Sequence, residues 1–162
     1  MKVVQIAGLF CLASIFAFNS ITFLREPEKQ ADKFFKQYAD FRIWSNKKQR
    51  SLLGGSTLLE FPSSEKVKPY KLKAGYIIAY CNLLGAVGMV IGEQMMILPL
   101  ILVHLFTTFV KFNPFNVQKE AEQVKYDNNM RAFLINIAIM FGLIIVFLEK
   151  HPLGGEAKSH KV

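Results

Sequence analysis

Three polar side chains stand out by their surroundings: His104, Asn82 and Asn136 each fall inside a long run of apolar residues. A polar group at hydrocarbon depth must find a partner there, so each is a candidate for helix-to-helix hydrogen bonding or for ligand contact. An imidazole in that setting can bond a neighbouring helix, touch a quinone or ligate a haem iron. A haem held by two histidines needs a second His at matching depth. His151 lies beyond the last apolar run, on the side opposite the end His104 approaches, so that pair is badly matched. Asn82 and Asn136 read as interhelical glue, a common role for a carboxamide among packed apolar helices. Glu93 stands between two runs, at an interface where it is solvated. The sequence offers no nucleophile–base pair, no metal-ligand cluster and no phosphate-cradling glycine loop. The expectation is a non-enzymatic protein without metal or cofactor, with His104 as the candidate contact for a quinone or haem.

The elements that must position these residues follow from where the charge lies. The chain has 162 residues, is 52% hydrophobic and carries a net charge of +8. Its apolar residues gather in four blocks, Val3–Leu24, Ala74–Ile91, Met95–Val110 and Ala132–Leu148, none of which contains Asp, Glu, Lys or Arg. A soluble core of this size has no room for four helices that are apolar all round. Residues 74–112 as one straight helix would be about 58 Å long, against a hydrocarbon layer of about 30 Å. They fit as two spans folded back at Gly92-Glu93-Gln94, with Gly92 ending a helix in the left-handed conformation. The first block is longer than the roughly 7–15 residues of a signal-peptide core, and no A-x-A site follows it. It reads as a span, with Gln5, Ser14, Asn19, Ser20 and Thr22 facing protein. The predicted fold is all-α: a four-helix transmembrane bundle with an additional interfacial amphipathic helix, in one polytopic domain, with spans near 3–24, 74–91, 95–112 and 132–148. Gly85, Gly88 and Gly92 would let helices approach closely. Cys11 and Cys81, both inside apolar blocks, read as small hydrophobes.

Between the spans lie polar segments. In residues 25–73, Ala31, Phe34, Phe35, Tyr38 and Phe41 recur at spacings of three and four, with Lys29, Lys33, Lys36 and Asp40 between them. That is an amphipathic helix, opened by Pro27. Its aromatic face suits either the membrane interface or the protein's own bundle. Residues 45–72 carry turn signals at Gly54-Gly55 and Pro62-Ser63-Ser64 without a clear period, as a loop or a short hairpin would. After the third span, Asn116 is placed to cap a short helix over Val117–Tyr126. The tail is residues 149–162.

Four spans put both termini on one side. That side holds Lys2, Lys150, Lys158 and Lys161, and the other sixteen Lys and Arg residues lie in the two loops opposite. Positive-inside bias therefore sets loops 25–73 and 111–131 on the matrix or cytosolic face. Arg25, Lys71, Lys73, Lys111 and Arg131 fall at span ends there, suited to anionic headgroups such as cardiolipin. A membrane surface competes for these charges, so nucleic acid is a poor partner.

The runs Ala13-Ser14-Ile15-Phe16 and Leu84-Gly85-Ala86, with Gly92, His104 and Phe112-Asn113-Pro114-Phe115-Asn116, resemble the HR-like lesion-inducing protein family, within the wider DoxX-like group. The likeness covers the four spans and their order, roughly residues 3–150. Ala86 stands where a second family glycine falls, and the first loop has its own aromatic and basic character. The resemblance implies a four-span bundle. Some DoxX-like proteins are small subunits of quinone-linked oxidoreductases.

The functional expectation is a non-catalytic accessory subunit of a larger membrane complex. A respiratory-chain assembly of the mitochondrial inner membrane is the expected host, with other membrane subunits and anionic lipid as partners. The alternative is a DoxX-type membrane subunit of a quinone-dependent oxidoreductase, which requires a quinone-sized pocket reaching His104. A small transporter would require a polar cavity between the spans.

Overall fold

The computed structural model describes residues 2–116 and 122–148, and these are helical throughout apart from short connections, with no strand among them. The long helices are α1 (Lys2–Arg25), α2 (Pro27–Leu52), α4 (Lys71–Ile91), α5 (Gln94–Phe112) and α6 (Gln123–Leu148), and α3 (Ser64–Val67) is a single turn. Short 3-10 turns at Lys68–Tyr70 and Pro114–Asn116 lead into α4 and out of α5. Four of the helices, α1, α4 with its lead-in, α5 and α6, are long and apolar enough to cross a membrane. The expected spans are therefore present, and the last begins nine residues earlier than the apolar block suggested. Of the short helix expected over Val117–Tyr126, residues 117–121 lie outside the described ones, and Gln123–Tyr126 form the opening turn of α6. The tail at 149–162, with His151, also lies outside them.

The α4–α5 hairpin is the centre of the bundle. Gly92 caps α4 in the left-handed conformation at φ 89°, and both its N–H and that of Glu93 donate to the Gly88 carbonyl. A side chain at Gly85 would meet Leu100 Cβ at 2.4 Å, and one at Gly88 would meet Met96 Cβ at 2.6 Å. These two glycines are thus the close-approach sites expected of them, whereas Gly92 serves the turn. α1 packs along α4 and α6 along α5, while the backbones of α1 and α6 make almost no close approach to each other. The core that the helices share comprises Ala13, Phe16, Ala86, Met89, Ile97, Leu100 and Leu143. Ser20 fastens α1 to α4: its hydroxyl lies 2.9 Å from the carbonyl of Phe16 and 2.9 Å from that of Ala79. Gln5, Ser14 and Asn19, expected to face protein, are exposed. Ser14 needs no neighbour because its hydroxyl donates to Phe10 O of its own helix at 2.7 Å.

The amphipathic helix α2 turns its aromatic face onto the protein itself, burying Ala31, Tyr38 and Phe41 against α4 and α5. Asp32 pairs with Lys71 at the first turn of α4, and the Phe34 ring faces Lys111 at the last turn of α5. Residues 53–62 form neither a hairpin nor a free loop; they fold back along α2. The Gln49 carboxamide stands in for a peptide group, accepting from Leu59 N at 2.8 Å and donating to Leu59 O at 3.0 Å. Arg42 Nε donates to Phe61 O and the Tyr38 hydroxyl to Pro62 O, both at 3.0 Å. Burial pushes the Tyr38 phenol pKa up, which keeps that donor protonated.

Gly85→Ala should lower the unfolding free energy in detergent by about 1–3 kcal/mol, the usual effect of overpacking a close contact. Gly142→Ala, where a Cβ would meet nothing within 4 Å, should be neutral or stabilising by up to about 1 kcal/mol. Thermal unfolding of the two variants side by side checks the difference.

Candidate functional site

Three helices present side chains at the same spacing, three residues and then four, toward one space. On α1 these are Phe16, Asn19 and Phe23; on α4, Gly75, Ile78 and Asn82; on α5, His104, Thr107 and Lys111. Residues at i, i+3 and i+7 share a helix face, so each triplet forms a stripe. Asn136 closes the space from α6, and Gln30 and Phe34 of α2 cover it. The result is a cup of about 200 Å³ to which all five long helices contribute. His104 lies eight residues before the end of α5, so the cup reaches about 12 Å below that end.

The floor is set by Phe16 and His104, whose rings meet edge to face with centroids 5.2 Å apart. Below them Met89, Leu100 and Leu143 are completely buried, so the far side of the floor is dry and apolar. That arrangement fits binding from one side better than conduction through the bundle. His104 Nε2 lies 3.1 Å from the main-chain carbonyl of Asn136. A carbonyl only accepts, so Nε2 carries the proton and the imidazole bridges α5 to α6. Asn136 therefore joins the two helices, through its carbonyl. Its side-chain amide donates to Ala132 O of its own helix at 2.8 Å. Thr107 likewise donates within its helix, to His104 O at 3.1 Å.

Other polar groups of the cup are not occupied in this way. The carboxamides of Asn19, Asn82 and Gln30 make no side-chain hydrogen bond among the described residues, although all three line the space. Asn82 thus departs from the role of interhelical glue: its amide looks into the cup. At the rim, Lys111 lies 5.9 Å from the centroid of the Phe34 ring, in cation–π geometry, and forms no ion pair among the described residues. Among the described residues no Asp or Glu lines the cup.

The remaining residues singled out from the sequence do not join this site. Arg25 and Arg131 are exposed on α1 and α6, Lys73 lies over the Tyr70 ring at 5.9 Å, and Lys71 is neutralised by Asp32. Of the five span-end cations, Lys111 alone lines the cup. Gln30, Phe34 and Thr107 escape a search for isolated polar residues in apolar runs. The repeated three-then-four spacing is the signal that would have found Thr107, and Gln30 lies one turn before Phe34 on the amphipathic face of α2. Among the described residues no group of His, Cys, Asp and Glu could hold a metal ion. No family model, curated protein or solved structure matches the chain.

His104→Leu should destabilise the protein by about 0.6–1.7 kcal/mol, the range for one interhelical hydrogen bond in a membrane protein. Asn136→Leu should be milder, because the bridging carbonyl remains. Unfolding curves in detergent for both variants, compared with the wild type, check the order.

Proposed function

We propose that the chain is a non-catalytic membrane-embedded subunit of a larger assembly, and that its own task is to hold the polar head of a membrane amphiphile. The observation that carries this is the cup, lined by the unpartnered carboxamides of Asn19, Asn82 and Gln30. Asn82 and Gln30 are half-buried and Asn19 is exposed, so each stays open to a ligand. Three around one space favour an occupant that bonds them together. A volume of about 200 Å³ is somewhat larger than the roughly 150 Å³ cavity that accepts benzene, so it holds a headgroup and leaves a tail outside.

The assembly half of the reading is supported by the outer end of α2. There Ile43, Leu52, Leu58 and Leu59 are exposed beside the exposed cations Lys47, Lys48 and Arg50. A mixed apolar and basic surface of this kind suits a headgroup layer or a neighbouring subunit. On this reading α2 lies at the membrane interface while its aromatic face grips the bundle. Positive-inside bias sets it on the matrix or cytosolic side, both termini opposite. The basic composition and the resemblance to DoxX-like proteins favour the mitochondrial inner membrane and a respiratory-chain host.

A second reading, a membrane subunit of a quinone-dependent oxidoreductase, is favoured by His104 at the floor of the cup. With Nε2 donating to Asn136 O, Nδ1 of the neutral ring is an acceptor, which suits the hydroxyl of a reduced quinone.

Extraction of the native protein in mild detergent tests the first reading. Its expected migration is far above the 18.4 kDa of the chain, with constant partners and a stoichiometric amphiphile in the organic extract. Migration as a lone small protein would sink the assembly. A quinone in that extract, lost from His104→Ala along with electron transfer, would select the second reading.

A further inference from the structure

We infer that the head held in the cup is anionic, a phosphate or carboxylate on an acyl tail, and that Lys111 is the residue that selects it. This rests on the reading of the cup as an amphiphile site and names the ligand class. The argument is one of charge. Lys111 opens into the cup, and the other free polar groups around the space are carboxamides, whose N–H groups donate. Among the described residues no carboxylate lines the cup to balance the ammonium. On α2, Asp32 is engaged by Lys71. Lys33, the residue that follows it, acts on Lys111 as a second positive charge.

Lys111 is exposed at the rim of the cup and has no counter-ion among the described residues. An anionic oxygen supplies one, and its charge-assisted bonds to Lys111 and to the Asn19 and Asn82 amides are the strong kind. A neutral head would satisfy the amides and leave the charge. The tail is expected to leave between α1 and α6, whose backbones make almost no close approach to each other. An amphiphile thus enters sideways from the membrane, its head rising toward the rim that α2 covers.

Native mass spectrometry of the full chain in detergent, with equal amounts of dioleoylphosphatidic acid and dioleoylphosphatidylcholine, tests this. The wild type should retain one phosphatidic acid in preference to phosphatidylcholine. Lys111→Met should weaken that binding by roughly ten- to a hundred-fold, the range for one hydrogen bond to a charged group. Lys111→Arg should keep it, and so should Lys48→Met, which removes an exposed charge elsewhere on α2. Inorganic phosphate at the same concentration should neither bind nor displace the lipid; binding of phosphate alone would overturn the assignment to an amphiphile. Equal retention of both lipids by the wild type, or unchanged binding in Lys111→Met, would overturn the anionic head. Asn82→Phe, which fills the cup, separates the two levels. If it expels a neutral occupant that Lys111→Met retains, the anionic inference fails and the cup stands as a binding site. If it displaces nothing from a folded protein, the amphiphile reading fails as well.

Discussion

The architecture depends on the close approach of α4 to α5. Two helices joined by a turn as short as Gly92-Glu93 must run side by side from their first residue, with no slack to separate. Gly85 and Gly88 make that possible, because Leu100 and Met96 occupy the volume where their side chains would be. Without a hydrophobic drive between helices in lipid, such van der Waals contact is a main source of association. The hairpin then offers one face to α1 and another to α6. Each outer helix is fastened by a hydroxyl or imidazole to a main-chain carbonyl: Ser20 to Ala79, and His104 to Asn136. Carbonyl acceptors make these joints insensitive to the identity of the accepting residue.

The same geometry produces the cup. The hairpin is tight at the Gly85–Leu100 level and opens toward the end where α4 begins and α5 finishes. Gly75 there packs on the Phe23 ring of α1 rather than on α5. Space between the spans is left where their polar residues cluster, and α2 crosses over it. Packing density below the floor and polarity above it are two consequences of where the small residues fall along α4.

Much of this was legible in the residues. The absence of charge from four long blocks located the spans, and the glycines located the close contacts and the turn. The period of three and four in 31–41 identified α2, and its aromatic face pointed equally to membrane and protein. That face goes to the protein because Phe106, Val110 and Phe115 offer aromatic and aliphatic partners within reach. The fold-back of residues 53–62 was not legible, since a carboxamide imitating a peptide group leaves no periodic trace. The cup was half visible. His104, Asn82, Asn136 and Lys111 were each marked singly, on different helices, and which helix faces meet depends on tertiary packing. Judging a lone carboxamide by its commonest role misassigned Asn82, whose neighbours are a space and two other unpaired amides.

The burial of the aromatic face of α2 also has a consequence for synthesis. Its partners on α5 follow it in the sequence by about sixty residues. At translation rates of about 5–20 residues per second, α2 is complete roughly 3–12 seconds before the last turn of α5 emerges. During that interval Tyr38, Phe41 and Trp44 lack the α5 surface that covers them in the finished fold. An amphipathic segment that ends as a cover over the bundle therefore begins with its aromatic face bare, and it can dock only once the central hairpin is complete.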